Sequence, residues 1–443
     1  MEARYLSGAA QHGAGSRQDL HARAAEHPDR TQVPLLIVVG IAVVAAVIVA
    51  VLLTGGGGAG TAAPVESETA APASPSPAST ATLDPQLVAQ LDAALDESFA
   101  ASGLPGVIVG LWVPGQGEWV AARGTADLEA DDPMTTDSQQ KIGSITKTIT
   151  TTVALQVIDE GKYDLTLDDT IDRWYPDFPE ASRITVRMLM NMSSGVGESG
   201  IAQVERICAD PHAVADPEAT IAIGAATPRT GFAPGDGFTY ANTNTFLLGR
   251  ILEQVTGESL GDLIEQRIIE PFGMTRSRFA PDGQLEAPLT HGYTLFCPDM
   301  PQPTDTVDWS NAESWAAGGM VSTLDDIHTW GSTLGTGAGL SPEMVAARYD
   351  DTALPLDAAG LGYGLGISVH RDPATGCLLD LGHTGAEPGY GTNLNWFATT
   401  DSVFVVFANG DGGTGEQVFD VVRALYPVFQ STVTIMPTEP CTG

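Results

Sequence analysis

An uncharged apolar run of 21 residues, residues 33–53, separates the start of this chain from everything that could form a folded domain. A helix needs about 20 consecutive apolar residues to cross the hydrocarbon core of a bilayer, so the run is long enough to span one. Residues 1–32 precede it, whereas a cleaved signal peptide has a shorter apolar region behind a short basic start. We therefore expect an uncleaved signal anchor, with a cleaved signal peptide as the alternative.

The basic residues on either side of the run give it a direction. Four arginines precede it: Arg4, Arg17, Arg23 and Arg30. The next arginine or lysine after Leu53 is Arg123. Because basic residues favour the cytosolic side, the sequence predicts a single-pass plasma-membrane protein with residues 1–32 in the cytosol and the rest outside the cell. The net charge of −35 argues against a nucleic-acid partner.

All four cysteines follow the run: Cys208, Cys297, Cys377 and Cys441. Disulfides persist outside the cytosol, so we expect bridges, and four cysteines allow three pairings. We favour Cys208–Cys297 together with Cys377–Cys441. The sequence contains no Cys-x-x-Cys or His-Glu-x-x-His spacing, and it predicts neither a metal site nor another cofactor.

The chain changes composition sharply between its linker and its folded domain. Residues 54–82 are mainly Gly, Ala, Pro, Ser and Thr, and Val65 is their only large apolar residue. Such a segment cannot bury enough surface to order itself, so we interpret it as a flexible linker. The folded domain is predicted over residues 84–443, because Asp84 and Pro85 fit the N-cap and the first position of a helix.

Strand patterns lie near both ends of that domain, at residues 106–113, 118–124, 377–383, 392–398 and 402–409. Helical patterns fill the middle: from Ser144 to Gly161, at 185–195 with Thr185 as its cap, at 244–256, and at 323–334 after a Ser322/Asp325 capping box. An α+β fold follows, in which both ends of the domain build one antiparallel sheet and a helical subdomain is inserted between them.

The segment Gly143-Ser144-Ile145-Thr146-Lys147 places a serine at the start of a predicted helix and one of only three lysines three residues later. Residues at i and i+3 share a helix face about 5–6 Å apart. A serine hydroxyl is a weak nucleophile until a base takes its proton, and a lysine can be that base only if burial leaves it partly deprotonated. The ordinary alternative is a serine near a helix start followed by an exposed lysine.

Three motifs in order resemble those of the serine β-lactamase and penicillin-binding protein family. Ser144-x-x-Lys147 is similar to the first motif, Tyr240-Ala241-Asn242 to the second and His383-Thr384-Gly385 to the third. The flanking segments FAPGDGFTYANTNTFLLGRILEQVTG and LGHTGAEPGY also resemble class C β-lactamases and their D-alanyl-D-alanine carboxypeptidase relatives. The resemblance extends from about residue 84 to 425. It implies a β-lactamase/transpeptidase-like fold, with an antiparallel sheet flanked by helices.

The resemblance also implies roles for the first two motifs. Ser144 would be the acylated nucleophile and Lys147 its proton partner. Tyr240 would relay protons to the leaving group and to the deacylating water, with a phenol pKa lowered by the nearby cation. Asn242 would hold the substrate amide or orient Lys147.

The third motif and its flank would line the cleft at the edge of the sheet. The resemblance places His383, Thr384 and Gly385 there, and it makes the N–H groups of Ser144 and Ala386 the oxyanion hole. Histidine stands where class C β-lactamases have lysine, a variant that resembles the D,D-carboxypeptidase branch and also occurs among esterases and aminopeptidases. Because histidine is only partly charged at neutral pH, it is a weaker anchor for a substrate carboxylate.

The sequence thus predicts a membrane-anchored extracytoplasmic serine hydrolase that acts through an acyl-enzyme on a small-molecule or cell-wall peptide substrate. A D-alanyl-D-alanine carboxypeptidase is the first substrate prediction, and an esterase or class C-type β-lactamase is the alternative. A further alternative, from another functional class, is a penicillin-binding sensor that is acylated with little turnover. Such a sensor needs a cytosolic effector, and residues 1–32 are too short and polar to form a folded one. The oligomeric state stays open.

Overall fold

The computed structural model describes residues 83–229, 231–350, 352, 360–412 and 417–430. The predicted cytosolic tail, signal anchor and linker, within residues 1–82, lie outside these ranges. No helix within the described ranges combines the length and the apolar character needed to cross a bilayer.

The described residues form thirteen strands, and eight of them build an antiparallel sheet at the centre of the fold. In chain order the strands are β1 (Gly106–Val113), β2 (Gly117–Asp127), β3 (Asp132–Pro133), β4 (Gln140–Lys141), β5 (Arg278–Phe279), β6 (Tyr293–Thr294), β7 (Thr304–Asp305), β8 (Met320–Ser322), β9 (Leu361–Tyr363), β10 (Ser368–Arg371), β11 (Leu378–Glu387), β12 (Tyr390–Phe397) and β13 (Ser402–Ala408). The main sheet has the order β3-β2-β1-β13-β12-β11-β10-β9. Strands β4, β8 and β5 form a smaller sheet beside it, and β6 pairs with β7.

The sheet joins the two ends of the domain, as the strand patterns predicted. Strand β1 pairs antiparallel with β13, with Val107 opposite Ala408 and Trp112 opposite Val403. Both strands are buried at every position, which explains why their sequences are continuously apolar. The predicted helical subdomain lies within the long insertion between β3 and β9, the strands at the two edges of the main sheet.

The α-helices of the described residues cover both faces of the main sheet and form the inserted subdomain. They are α1 (Pro85–Ser102), α2 (Ile145–Asp159), α3 (Val186–Met190), α4 (Gly200–Ala209), α5 (Pro217–Ala226), α6 (Asn242–Thr256), α7 (Leu260–Ile264), α8 (Glu270–Phe272), α9 (Trp315–Gly318), α10 (Leu324–Thr336), α11 (Pro342–Asp350) and α12 (Gln417–Gln430). Helices α1 and α12 pack on one face around Leu91, Phe404 and Phe429. Helices α2 and α10 pack on the other face, and the core there continues into the helical subdomain.

The local signals for helix starts are mostly confirmed. Asp84 accepts hydrogen bonds from the N–H groups of Gln86 and Leu87 at 2.7 and 3.3 Å, as its N-cap position predicted. Thr185 caps α3, although that helix ends at Met190 rather than near residue 195.

The capping box predicted at Ser322 is wrong. Strand β8 continues through Ser322, so the helix starts one residue later than expected and Thr323 becomes its N-cap. The Ser322 hydroxyl instead meets the Ser277 hydroxyl at 2.7 Å in a buried contact. Pairing with β4 and β5 thus overrides the local helix signal.

A disulfide joins Cys208 at the end of α4 to Cys297 in the segment after β6, with the two Cα atoms 5.4 Å apart. This confirms one predicted pair. Cys377 is also disulfide-bonded, and its predicted partner, Cys441, lies outside the described residues.

Candidate active site

Ser144 lies at the start of α2 and is half-buried. Its side chain makes no capping hydrogen bond to the helix, so the hydroxyl is left for another partner. That partner is the Lys147 amine, whose Nζ lies 2.8 Å from Ser144 Oγ. The predicted meeting of the two side chains on one helix face is therefore confirmed.

Lys147 is fully buried, which rules out the alternative of an exposed lysine. Its Nζ also donates to the Ala317 carbonyl of α9 at 2.9 Å. Burial lowers the pKa of Lys147 to about 7, and the charges of Glu198 and Glu387 limit the fall. At neutral pH a large share of Lys147 is thus the neutral amine, which can accept a proton from Ser144.

Two glycines allow the start of α2 to touch β11. A Cβ at Gly143, where φ is +50°, would lie 2.6 Å from the Ala386 nitrogen. A Cβ at Gly385 would lie 2.1 Å from the Ile142 carbonyl oxygen. This approach brings the Ala386 backbone beside the residue that precedes Ser144, where an oxyanion hole made by the N–H groups of Ser144 and Ala386 can form.

Tyr240 contacts the same lysine from the other side. Lys147 Nζ lies 4.9 Å from the centre of the Tyr240 ring. Burial raises the pKa of Tyr240 well above its usual value, the Ser144 hydroxyl opposes the rise, and Glu198 and Glu387 add to it. The prediction of a lowered phenol pKa is wrong, because the loss of water outweighs any nearby cation. Tyr240 is buried and its hydroxyl stays protonated, so it can donate a proton.

Asn242 begins α6, and its contacts lead to an acidic residue that the sequence reasoning missed. Its N–H donates to Glu198 Oε2 at 2.6 Å, and its side-chain amide reaches Gln203 Oε1 at 3.4 Å. In the described part of the chain, Lys147 bonds to Ser144 and Ala317 and not to Asn242. The signal for Glu198 is a lone carboxylate within SSGVGES, a segment of small residues.

His383 is buried in β11 and held from two sides. Its Nδ1 contacts the Thr384 carbonyl, and its Nε2 lies 2.9 Å from the Tyr363 hydroxyl. A carbonyl only accepts, so Nδ1 carries the proton and Nε2 accepts from Tyr363. Burial and the Lys147 charge lower the pKa of His383 to about 3. The expectation of a partly charged histidine is therefore wrong, because this ring is neutral at neutral pH.

Strand geometry separates the residues of the third motif. Alternate side chains of a strand point to opposite faces, so His383 and Gly385 face α2 while Thr384 points away. Thr384 lines an open groove between strands β9–β12 and helix α12, together with His383, Asn393 and Tyr426. His383 and Gly385 therefore lie on the face of β11 that contacts α2, and the cleft-lining role of the third motif stays a prediction.

The family model described as Beta-lactamase matches residues 87–426. This chain belongs to the β-lactamase family. The D-aminopeptidase of Brucella anthropi is 28% identical over 341 residues, which are 74% of this chain and 61% of that protein. The esterase EstB of Burkholderia gladioli is 27% identical over 325 residues, 64% of this chain and 80% of the esterase. A solved D-stereospecific amidohydrolase from Streptomyces sp. is 26% identical with a TM-score of 0.64, over 75% of this chain and 97% of that one.

The family confirms the resemblance read from the three motifs, and the sheet flanked by helices is the fold of that family. By their names, the matched D-aminopeptidase and esterase are hydrolases. This chain spans about three fifths of the length of the D-aminopeptidase.

Proposed function

We propose that this protein hydrolyses an amide bond through a Ser144 acyl-enzyme, and that its acyl donor carries a free amine and no carboxylate, as in an N-terminal D-amino acid amide. The observation that carries the proposal is the burial of His383 between the Tyr363 hydroxyl and the Thr384 carbonyl, which favours a neutral ring. A D-Ala-D-Ala peptide and a β-lactam both bring a carboxylate that needs a cation beside it. A neutral imidazole does not supply one.

The charges around the nucleophile favour a substrate amine over a substrate carboxylate. Two carboxyl groups, Glu198 and Glu387, act on Lys147, which burial itself tends to neutralise. Binding a carboxylate there would bury an anion with no strong cation to pair with it, which costs several kcal/mol. The D-alanyl-D-alanine carboxypeptidase prediction is therefore less well supported than an aminopeptidase or amidase.

The names of the relatives support the same substrate class. One relative is a D-aminopeptidase and one solved structure is a D-stereospecific amidohydrolase, so we propose the D configuration at the acyl residue. The esterase EstB supports a second candidate, an ester of similar size. Both candidates use the same acyl-enzyme chemistry and differ in the leaving group.

The geometry supports a mechanism with balanced proton transfers. Neutral Lys147 accepts the Ser144 proton as Oγ attacks the substrate carbonyl, and the N–H groups of Ser144 and Ala386 stabilise the oxyanion. The Tyr240 hydroxyl donates a proton to the leaving nitrogen and regains one from the Lys147 ammonium. Water then attacks the acyl-enzyme with the same groups in reverse, which releases the acid and restores Ser144.

We further propose that the domain works outside the cytoplasmic membrane, tethered by residues 33–53 through the linker 54–82. The arginines before the run and the Cys208–Cys297 disulfide support this location, because disulfides persist in oxidising compartments. The proposed partner is a small peptide-like substrate, and nucleic acid is not expected.

The purified protein should be assayed on D-alanine p-nitroanilide, its L-isomer, a D-Ala-D-Ala peptide and a cephalosporin, with Ser144→Ala as the blank. We expect kcat/KM for the D-anilide to exceed that for the D-Ala-D-Ala peptide by more than about tenfold, which is the effect of about 1.4 kcal/mol. A D-Ala-D-Ala peptide or a cephalosporin as the better substrate would show that a carboxylate is bound after all.

A further inference from the structure

Glu387 is a buried carboxyl group at the end of β11 that none of the proposed catalytic steps uses. It directly follows Ala386 and is only 7% exposed. Its Oε2 accepts a hydrogen bond from the Ser314 hydroxyl at 2.8 Å. The other oxygen lies against Gly318, where an added Cβ would be 2.3 Å from Oε1. The carboxyl group therefore contacts α9 at both ends of that short helix.

Helix α9 also holds the proton partner of Ser144. The Ala317 carbonyl, next to Gly318, accepts from Lys147 Nζ at 2.9 Å. One continuous set of contacts thus connects the Ala386 backbone through Glu387 to α9 and from there to Lys147. A shift of the end of β11 would therefore reach Lys147 through Glu387 and α9.

We propose that Glu387 is a positioning residue for the reaction, which fastens the strand carrying Ala386 to the helix that holds Lys147 and adds a negative charge beside that lysine. This inference rests on the proposed role of Lys147 as the proton partner. The sequence gives Glu387 no motif of its own, since it lies two residues beyond His383-Thr384-Gly385.

A second buried lysine explains how the carboxyl group is tolerated. Lys141 on β4 donates from Nζ to the carbonyls of Thr306 and Trp309 at 3.2 and 2.7 Å, and it is 2% exposed. Burial lowers the pKa of Lys141 and raises that of Glu387, and the two opposite charges counteract both changes. The pair therefore stays at least partly charged inside the protein, where a single charge would be expelled or neutralised.

The charged or titratable groups that act on Glu387, or on which it acts, are Lys141 on β4, Lys147 on α2 and Tyr240 before α6. The Glu387 charge raises the pKa of Lys147. Since Lys147 must be neutral to accept the Ser144 proton, its reaction is lost as pH falls through about 7. Removing the Glu387 charge lowers the pKa of Lys147 and should move this loss to more acidic pH.

The test measures the rate at which a fluorophosphonate labels Ser144 in the full-length protein between pH 5 and 9. This probe needs an activated serine and no natural acyl donor, so a wrong proposal about the substrate would not affect it. In Glu387→Gln the amide oxygen can still accept from Ser314, but the charge is gone. We expect the acidic limb of the labelling rate to move to lower pH.

Ser314→Ala is the second variant, which removes the hydrogen bond and keeps the carboxyl group in place. Its plateau rate should fall about fivefold to tenfold, the rate equivalent of one hydrogen bond. The matched control is Glu218→Gln, which removes a carboxylate that accepts from Arg250 at 2.8 Å and is not among the groups that shift the pKa of Lys147. It should change the melting temperature at most.

A purely structural role for Glu387 predicts a lower melting temperature and a parental acidic limb in Glu387→Gln, and that result would overturn the proposal. If Glu387→Gln does not fold, Ser314→Ala decides. Parental labelling rates in a Ser314→Ala protein that melts normally would also overturn it.

Discussion

Gly143→Ala tests whether the contact between α2 and β11 builds the oxyanion hole. The added Cβ would lie 2.6, 2.8 and 2.9 Å from the nitrogen, oxygen and carbon of Ala386. These are backbone atoms that cannot rotate away, and an ordinary contact begins at 3.4 Å. The two segments must therefore separate by 3.4 − 2.6, or about 0.8 Å, at the point where the N–H groups of Ser144 and Ala386 meet the substrate.

The expected magnitude follows from that displacement. A misplacement near 1 Å costs reactions on the order of 10²-fold, so we expect acylation of Gly143→Ala to fall by about that factor. Stability should also fall, by about 1–2 kcal/mol for an alanine at positive φ and about 1–3 kcal/mol for the overlap. Fluorophosphonate labelling and hydrolysis of a p-nitrophenyl ester measure the first effect, and thermal melting measures the second.

Gly103→Ala is the matched control for backbone strain. Gly103 has φ of +71° at the end of α1, and no atom lies within 4 Å of its added Cβ. Gly103→Ala should lose a similar amount of stability through backbone strain, without any steric overlap, and should keep the parental rate of acylation. Acylation of Gly143→Ala within threefold of the parent would refute the reasoning, because the strand and helix could then separate without harm to the site.

Three further predictions concern the proton partners and the topology. Lys147→Arg should melt normally yet lose on the order of 10²–10⁴-fold in acylation, because arginine stays protonated; near-parental turnover would leave Lys147 a structural charge. Tyr240→Phe should reduce anilide hydrolysis on the order of 10²-fold or more and p-nitrophenyl ester hydrolysis far less, since nitrophenolate leaves unprotonated; equal losses would contradict the donor role. Protease added outside intact cells should release an active domain by cutting within residues 54–82, and release only after permeabilisation would reverse the topology.

Local patterns predicted the framework well. Asp84 and Pro85 mark the first helix, and the apolar runs at residues 106–113 and 402–409 give the paired central strands because both of their faces are covered. The Ser144–Lys147 contact also follows from helix periodicity alone. The boundaries that failed, such as Ser322, depend on strands brought from distant parts of the chain.

The charge states of the site could not be predicted from the motifs. Tyr240 and His383 are the residue types that the resemblance required. Burial, however, raises the pKa of Tyr240 where a lowered pKa was expected, and it lowers the pKa of His383 far below the value of a partly charged ring. Thr384 faces away from the nucleophile because strand β11 extends unbroken to Glu387. Sequence separation hid Glu198 and Glu387, which approach Lys147 only in the folded chain.

One physical cause, burial with little compensating charge, sets the protonation of three groups that meet at the nucleophile. It favours a neutral amine at Lys147, a neutral phenol at Tyr240 and a neutral imidazole at His383. A site in this state already has its base ready to accept a proton and its donor ready to give one, so no proton has to be exchanged with solvent first. The same state leaves no strong cation in reach of a substrate carboxylate. The feature that prepares Ser144 for attack is therefore also the feature that should select the substrate.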